Sequence, residues 1–126
     1  MKHALIALLA LLVGTSAFAD TTCTIGEYAS MADIPTTGQV VPVWGNLITT
    51  QTIPVTASSG QSAALNAATR FVRISCKALT HFKISVAEAN PNPMATTTDD
   101  QWVGANSPEG FAAAGGQKIA FIEGSE

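Results

Sequence analysis

A period of two runs through much of this chain. Leu47, Thr49, Gln51, Ile53 and Val55 fall on one side of an extended run and Ile48, Thr50 and Thr52 on the other. That is the pattern of a half-buried strand rich in β-branched residues. Arg70 to Cys76 (RFVRISC) repeats it, with Val72, Ile74 and Cys76 inward and Arg73 and Ser75 outward. His81 to Val86 does the same, with Phe82, Ile84 and Val86 inward and His81, Lys83 and Ser85 outward. The link Lys77 to Thr80 has hairpin length. Phe111 to Ala114, a Gly115-Gly116 turn and Lys118 to Ile122 (KIAFI) predict a closing hairpin, with Ile119 and Phe121 inward. Gln39 to Val43 predicts a short strand in which Pro42 demands an edge or a bulge, and Gly45-Asn46 can make a tight turn.

Between these runs the pattern weakens. Asp20 to Gly38 predicts an irregular N-terminal arm, rich in hydroxyl residues. Thr56 to Thr69 is small and polar, and Ser62 to Ala68 suits two helical turns, a loop or a short strand equally. Glu88 to Gly110 predicts a long loop, of the kind that is functional or packed on a neighbour. Short strands with turn signals and almost no helical periodicity predict an all-β chain, a small antiparallel β-sandwich or jelly-roll-like domain over 39–126.

The first residues belong to a different class. Met1, Lys2 and His3 precede an apolar run, Ala4 to Gly14, and Ala17-Phe18-Ala19 presents the small-x-small pattern of a cleavage site. The run is short for a membrane span. Residues 1–19 therefore predict a signal peptide helix, cleaved before Asp20, with no membrane attachment afterwards and a periplasmic or extracellular destination. Cleavage leaves one domain of 107 residues. The two cysteines, Cys23 and Cys76, both survive it, and an even pair in an oxidising compartment predicts a disulfide.

Charge changes the picture by exclusion. Charged residues make up 12% of the chain, and loss of Lys2 leaves five basic against nine acidic side chains. Nucleic-acid binding needs clustered cations, so it is not expected. Catalysis is not expected either, and no cofactor or metal is implied. The sole histidine of the processed chain, His81, lies on an outward strand position with no activating partner in the pattern. Asp99-Asp100 is a weak calcium signal without a spaced ligand series. With Glu109 and Glu88 it makes a poor pair of glycosidase carboxylates for so small a core. Trp102, in the long loop, reads equally as a stacking surface for a sugar or protein partner and as a lid over the sandwich. Asp99, Asp100 and Trp102 are thus the candidate contact residues.

From Ser58 onward the chain resembles a family of small β-rich structural proteins of tailed phages and prophages. The residues that carry this are Ser58 to Ile74 (SSGQSAALNAATRFVRI), Asn90 to Thr96 (NPNPMAT) and Ser107 to Ile122, with SPEGF followed by GGQKIAFI. The resemblance implies a non-catalytic virion component, a head-decoration or fibre-associated sandwich that self-associates or joins other structural subunits. The signal peptide and the cysteines depart from such proteins and extend the expectation to a subunit of an extracellular assembly. The alternative is a secreted or periplasmic module that recognises a glycan or protein through the 88–110 loop.

Overall fold

The computed structural model describes residues 21–36, 39–85, 91–98 and 101–124, with the backbone alone for 31–36 and 39–44. Residues 1–19, expected to be a signal peptide, and Val86, Glu88, Asp99 and Asp100 lie outside the described residues. Ten strands follow in chain order: β1 (Thr21–Tyr28), β2 (Met31–Thr36), β3 (Gln39–Trp44), β4 (Leu47–Val55), β5 (Gly60–Gln61), β6 (Phe71–Cys76), β7 (Thr80–Ile84), β8 (Trp102–Val103), β9 (Glu109–Ala112) and β10 (Ile119–Glu123). They form two antiparallel four-stranded sheets, in the order β4-β1-β6-β9 and β5-β10-β7-β8, and a two-stranded ribbon, β2-β3. The protein is a small antiparallel β-sandwich.

The inward positions of the strands meet in one core: Cys23, Ile25, Ile53, Val55, Val72, Ile74 and Cys76 from the first sheet, and Phe82, Val103, Ile119 and Phe121 from the second, with Leu65 from a loop. Phe82 lies edge-on to Phe111 at 4.6 Å between centroids, which fastens β7 of one sheet to β9 of the other. Ile84 is only half-buried and packs at the margin of this cluster.

Four connections differ from the sequence expectation. Residues Thr21–Tyr28 are not an irregular arm but an internal strand, hydrogen-bonded to β4 on one side and β6 on the other. Its inward row, Cys23, Ile25 and Glu27, ends on a carboxylate, and its outward row carries threonines and Gly26, so the alternation is hidden in composition. Lys77 to Leu79 is not a hairpin link, because both edges of β6 are already taken by β1 and β9, and β7 must join the other sheet. Gly115-Gly116 does turn, with Gly116 at a φ of 82°, but it passes the chain from β9 in the first sheet to β10 in the second.

Gly45-Asn46, finally, does not reverse the chain. β2 and β3 continue the β1–β4 pairing, from Met31 opposite Trp44 to Thr36 opposite Gln39. At the junction Gly45 donates to the Ser30 carbonyl at 3.0 Å and Ala29 to the Asn46 carbonyl at 3.3 Å. A side chain at position 45 would collide with the backbone of Ser30, so the crossing needs glycine. Thr21 to Thr36 and Gln39 to Val55 are therefore two arms of one long ribbon. Its inner half belongs to the sandwich, and its outer half pairs only with itself among the described residues.

Candidate functional site

Strand parity on β1 decides what reaches the surface of the first sheet. Cys23, Ile25 and Glu27 point into the core, so Thr24, Gly26 and Tyr28 point out. Gly26 stands opposite Thr50 of β4 and Arg73 of β6. The missing side chain leaves a hollow, and the Tyr28 ring folds back over it: a β-carbon at Gly26 would lie 3.1 Å from Tyr28 Cε2. Glycine at 26 and tyrosine at 28 thus form one unit, an aromatic covering bare backbone. Around it lies an open concavity of about 170 Å³ lined by Thr24, Gly26, Tyr28, Leu47, Thr50, Arg73 and Ser75. It offers hydroxyls, one phenol and one guanidinium, with Leu47 exposed at its rim. Its size suits one sugar ring or one peptide side chain, below the volume usual for a small-molecule site.

The second sheet presents another outward row. Trp102 on β8 stands opposite His81 on β7, which stands opposite Ile122 on β10. Trp102 is 53% exposed. Its neighbour Val103 takes the inward position and is fully buried. The side chain of Trp102 is therefore an outward platform and not a lid over the core. The 88–110 segment, expected as an unpatterned loop, contains β8 and the start of β9. Part of the rest is tied to the body, since the Gln61 side chain donates to the Pro93 carbonyl at 2.8 Å and the Ala95 N–H donates to Ser59 Oγ at 2.9 Å. Pro93 and Ala95 are buried, and Met94 between them is exposed. Glu109 is exposed on β9, at the edge of the first sheet.

Cys23 and Cys76 are bonded as expected, at a sequence separation of 53 and with their α-carbons 4.1 Å apart. They are directly opposed across β1 and β6. Lys77 donates to the Thr22 carbonyl at 3.1 Å, which makes Cys23–Cys76 a wide pair of the ladder, where side chains approach most closely. Both cysteines are buried. A buried disulfide is compatible with an exported protein.

Glu27 is the polar residue that the pattern concealed. It is 1% exposed, and its carboxylate accepts three hydrogen bonds: from Gln51 Nε2 at 2.8 Å, the Asn66 N–H at 2.7 Å and Thr69 Oγ1 at 2.7 Å. Those donors come from β4 and from the loop before β6, so Glu27 pins that loop over one end of the sandwich. It acts as a structural tie, since both of its oxygens are engaged and its three partners are an amide, a backbone N–H and a hydroxyl. Reading Cys23 as inward and stepping by two would have found it. Among the described residues no three His, Cys, Asp or Glu side chains converge as metal ligands would, and every buried side-chain nitrogen or oxygen has a hydrogen-bond partner.

No family model, curated protein or solved structure matches this chain.

Proposed function

We propose that this protein is an exported, non-catalytic structural subunit of an extracellular or virion assembly, comparable to the surface and decoration proteins of tailed phages. The β2–β3 ribbon carries this reading. It continues the β1–β4 ladder with no third strand against it among the described residues. A two-stranded hairpin is marginal by itself in water, and a third strand or a packed face gives it stability. Met31 to Trp44 contains a single charged residue, Asp33, a composition suited to contact with a neighbouring subunit. The hydroxyl-rich outer row of the first sheet and the sparse charge support the same reading. Electron microscopy and mass photometry of the purified, disulfide-bonded protein test it. Rings, filaments or regular clusters are expected, and a monomer at every concentration, with no particle that it decorates, would sink the proposal.

The exposed Trp102, in one row with the half-buried His81, favours a second reading, a binding module that stacks a sugar or a protein side chain on the second sheet. In that case Trp102→Ala abolishes retention on a glycan or protein surface, while assembly is unaffected.

A further inference from the structure

Polar side chains within the sandwich are engaged by the protein itself: Ser62, Ser85 and Thr69 each bond a backbone N–H or a carboxylate. The outer face of the first sheet is different. Around the Tyr28–Arg73 concavity, the side chains of Thr24, Thr50, Ser75 and Arg73 enter no hydrogen bond or ion pair among the described residues. Three hydroxyls and a guanidinium therefore surround one hollow with their bonding capacity turned to solvent.

The ladder explains why the guanidinium stands clear. Arg73 lies between Gly26 on β1 and Gly110 on β9, so neither cross-strand neighbour carries a side chain. No carboxylate shares its face among the described residues of this sheet. Glu109 stands opposite the inward-pointing Ile74, and Glu27 is buried in the core. The nearest charges along the chain, Arg70 and Lys77, are cations too. Three of the six Lys and Arg residues thus fall within eight positions, in a chain of net charge −3. Such a local excess attracts anions. Beside it the Tyr28 ring, laid over Gly26, supplies an aromatic wall.

We propose that this concavity binds a sugar unit that carries a carboxylate, a hexuronic acid residue of an acidic polysaccharide. Arg73 takes the carboxylate as a bidentate pair. The hydroxyls of Thr24, Thr50 and Ser75 meet those of the sugar, and the apolar side of its ring packs on Tyr28. The volume of about 170 Å³ has room for one such unit. An acidic protein side chain would use the guanidinium and leave the three hydroxyls without partners, whereas a neutral sugar would do the reverse. The inference goes beyond the structural-subunit reading and does not depend on it, because a single copy carries the whole site.

Titration of the isotope-labelled, disulfide-bonded protein with methyl β-D-glucuronide, followed through its amide NMR shifts, tests the site. Binding in the millimolar range is expected, with the largest shifts at Thr24, Gly26, Tyr28, Thr50 and Arg73, and it should weaken as salt is raised. Methyl β-D-glucoside and acetate each carry half of the ligand's chemistry, and each should bind at least about tenfold more weakly. Arg73→Gln, at an exposed position, should weaken the glucuronide at least about tenfold. Lys83→Gln removes the same charge from the other sheet and should leave binding unchanged. Circular dichroism checks that each variant is folded. Acetate bound as tightly as the glucuronide would mean a carboxylate site only and overturn the sugar. Glucoside bound as tightly, or a glucuronide indifferent to Arg73→Gln, would overturn the acidic class. Shifts centred on Trp102, or none at the concavity, would overturn the site while leaving the subunit reading to its own test.

Discussion

The first sheet pairs by backbone alone over long stretches: β1 lies against β4 from Thr21 to Leu47's partner Tyr28, and against β6 from Cys23 to Tyr28. The second sheet has no such length, and side chains complete it. On one side of the start of β10, the Ser62 N–H donates to the Ile119 carbonyl at 2.8 Å while Ser62 Oγ accepts the Ile119 N–H at 2.9 Å. On the other side Ser85 does the same for Lys118, its N–H donating to the carbonyl and its Oγ accepting the N–H, both at 2.8 Å. Gln117 Nε2 then takes up the Ser85 carbonyl at 2.7 Å. Two serines thus extend the ladder beyond the strands proper. A long ladder leaves its outward side chains available to the surface, whereas a short one draws polar side chains inward to satisfy backbone groups that would otherwise be buried without partners.

The contrast is sharpest if the covalent link of the first sheet is removed. Reduction of Cys23–Cys76 should cost about 4 kcal/mol in the chain-entropy account of a loop this long. Denaturant melts with and without reductant measure it. A loss under about 1 kcal/mol would mean that the backbone ladder holds the first sheet without help from the bond. A matched pair of smaller changes comes next. Ser62→Ala leaves the buried Ile119 N–H without its acceptor and should cost about 1–3 kcal/mol. Ser75→Ala, on the outer face of β6, should cost no more than about 0.5 kcal/mol. Equal losses would erase the distinction drawn between the sheets. The least effect is expected at Lys83, exposed on β7: Lys83→Ala should stay within about 0.5 kcal/mol. Ile84→Ala, next to it and half-buried at the core margin, should lose about 2 kcal/mol.

The same contrast explains what could be read from the chain. β6, β7 and β10 were legible because apolar residues recur at every second position, and Val72, Ile74, Phe82, Ile119 and Phe121 are all buried. β1 was not, because its inward row closes on Glu27, whose burial is made tolerable by donors from residues 51, 66 and 69, far away in sequence. Links were misread for a different reason. Three or four residues between two strands serve a hairpin or a crossing between sheets equally well, and only the occupancy of both edges of β6 decides. Cys23 and Cys76 were legible as a pair from their number and the expected export signal, though not that they stand directly opposed. Of the candidate contact residues, Trp102 is at the surface, and Asp99 and Asp100 lie outside the described residues. The Tyr28–Arg73 concavity left no trace in the pattern, because it arises from a ring bending over a glycine two residues back.

The opposition of Cys23 and Cys76 also makes oxidation a test of alignment. If β6 slid along β1 by one residue, one sulfur would face the core and the other the solvent. If it slid by two, the α-carbons would separate to about 7–8 Å, beyond the reach of the bond. Among paired registers only the native one lets the bond close, so once oxidised the two central strands can pair in no other frame. Because Cys76 follows Cys23 by 53 residues, the bond can close only after β4 has been made, and the long ribbon is then already complete.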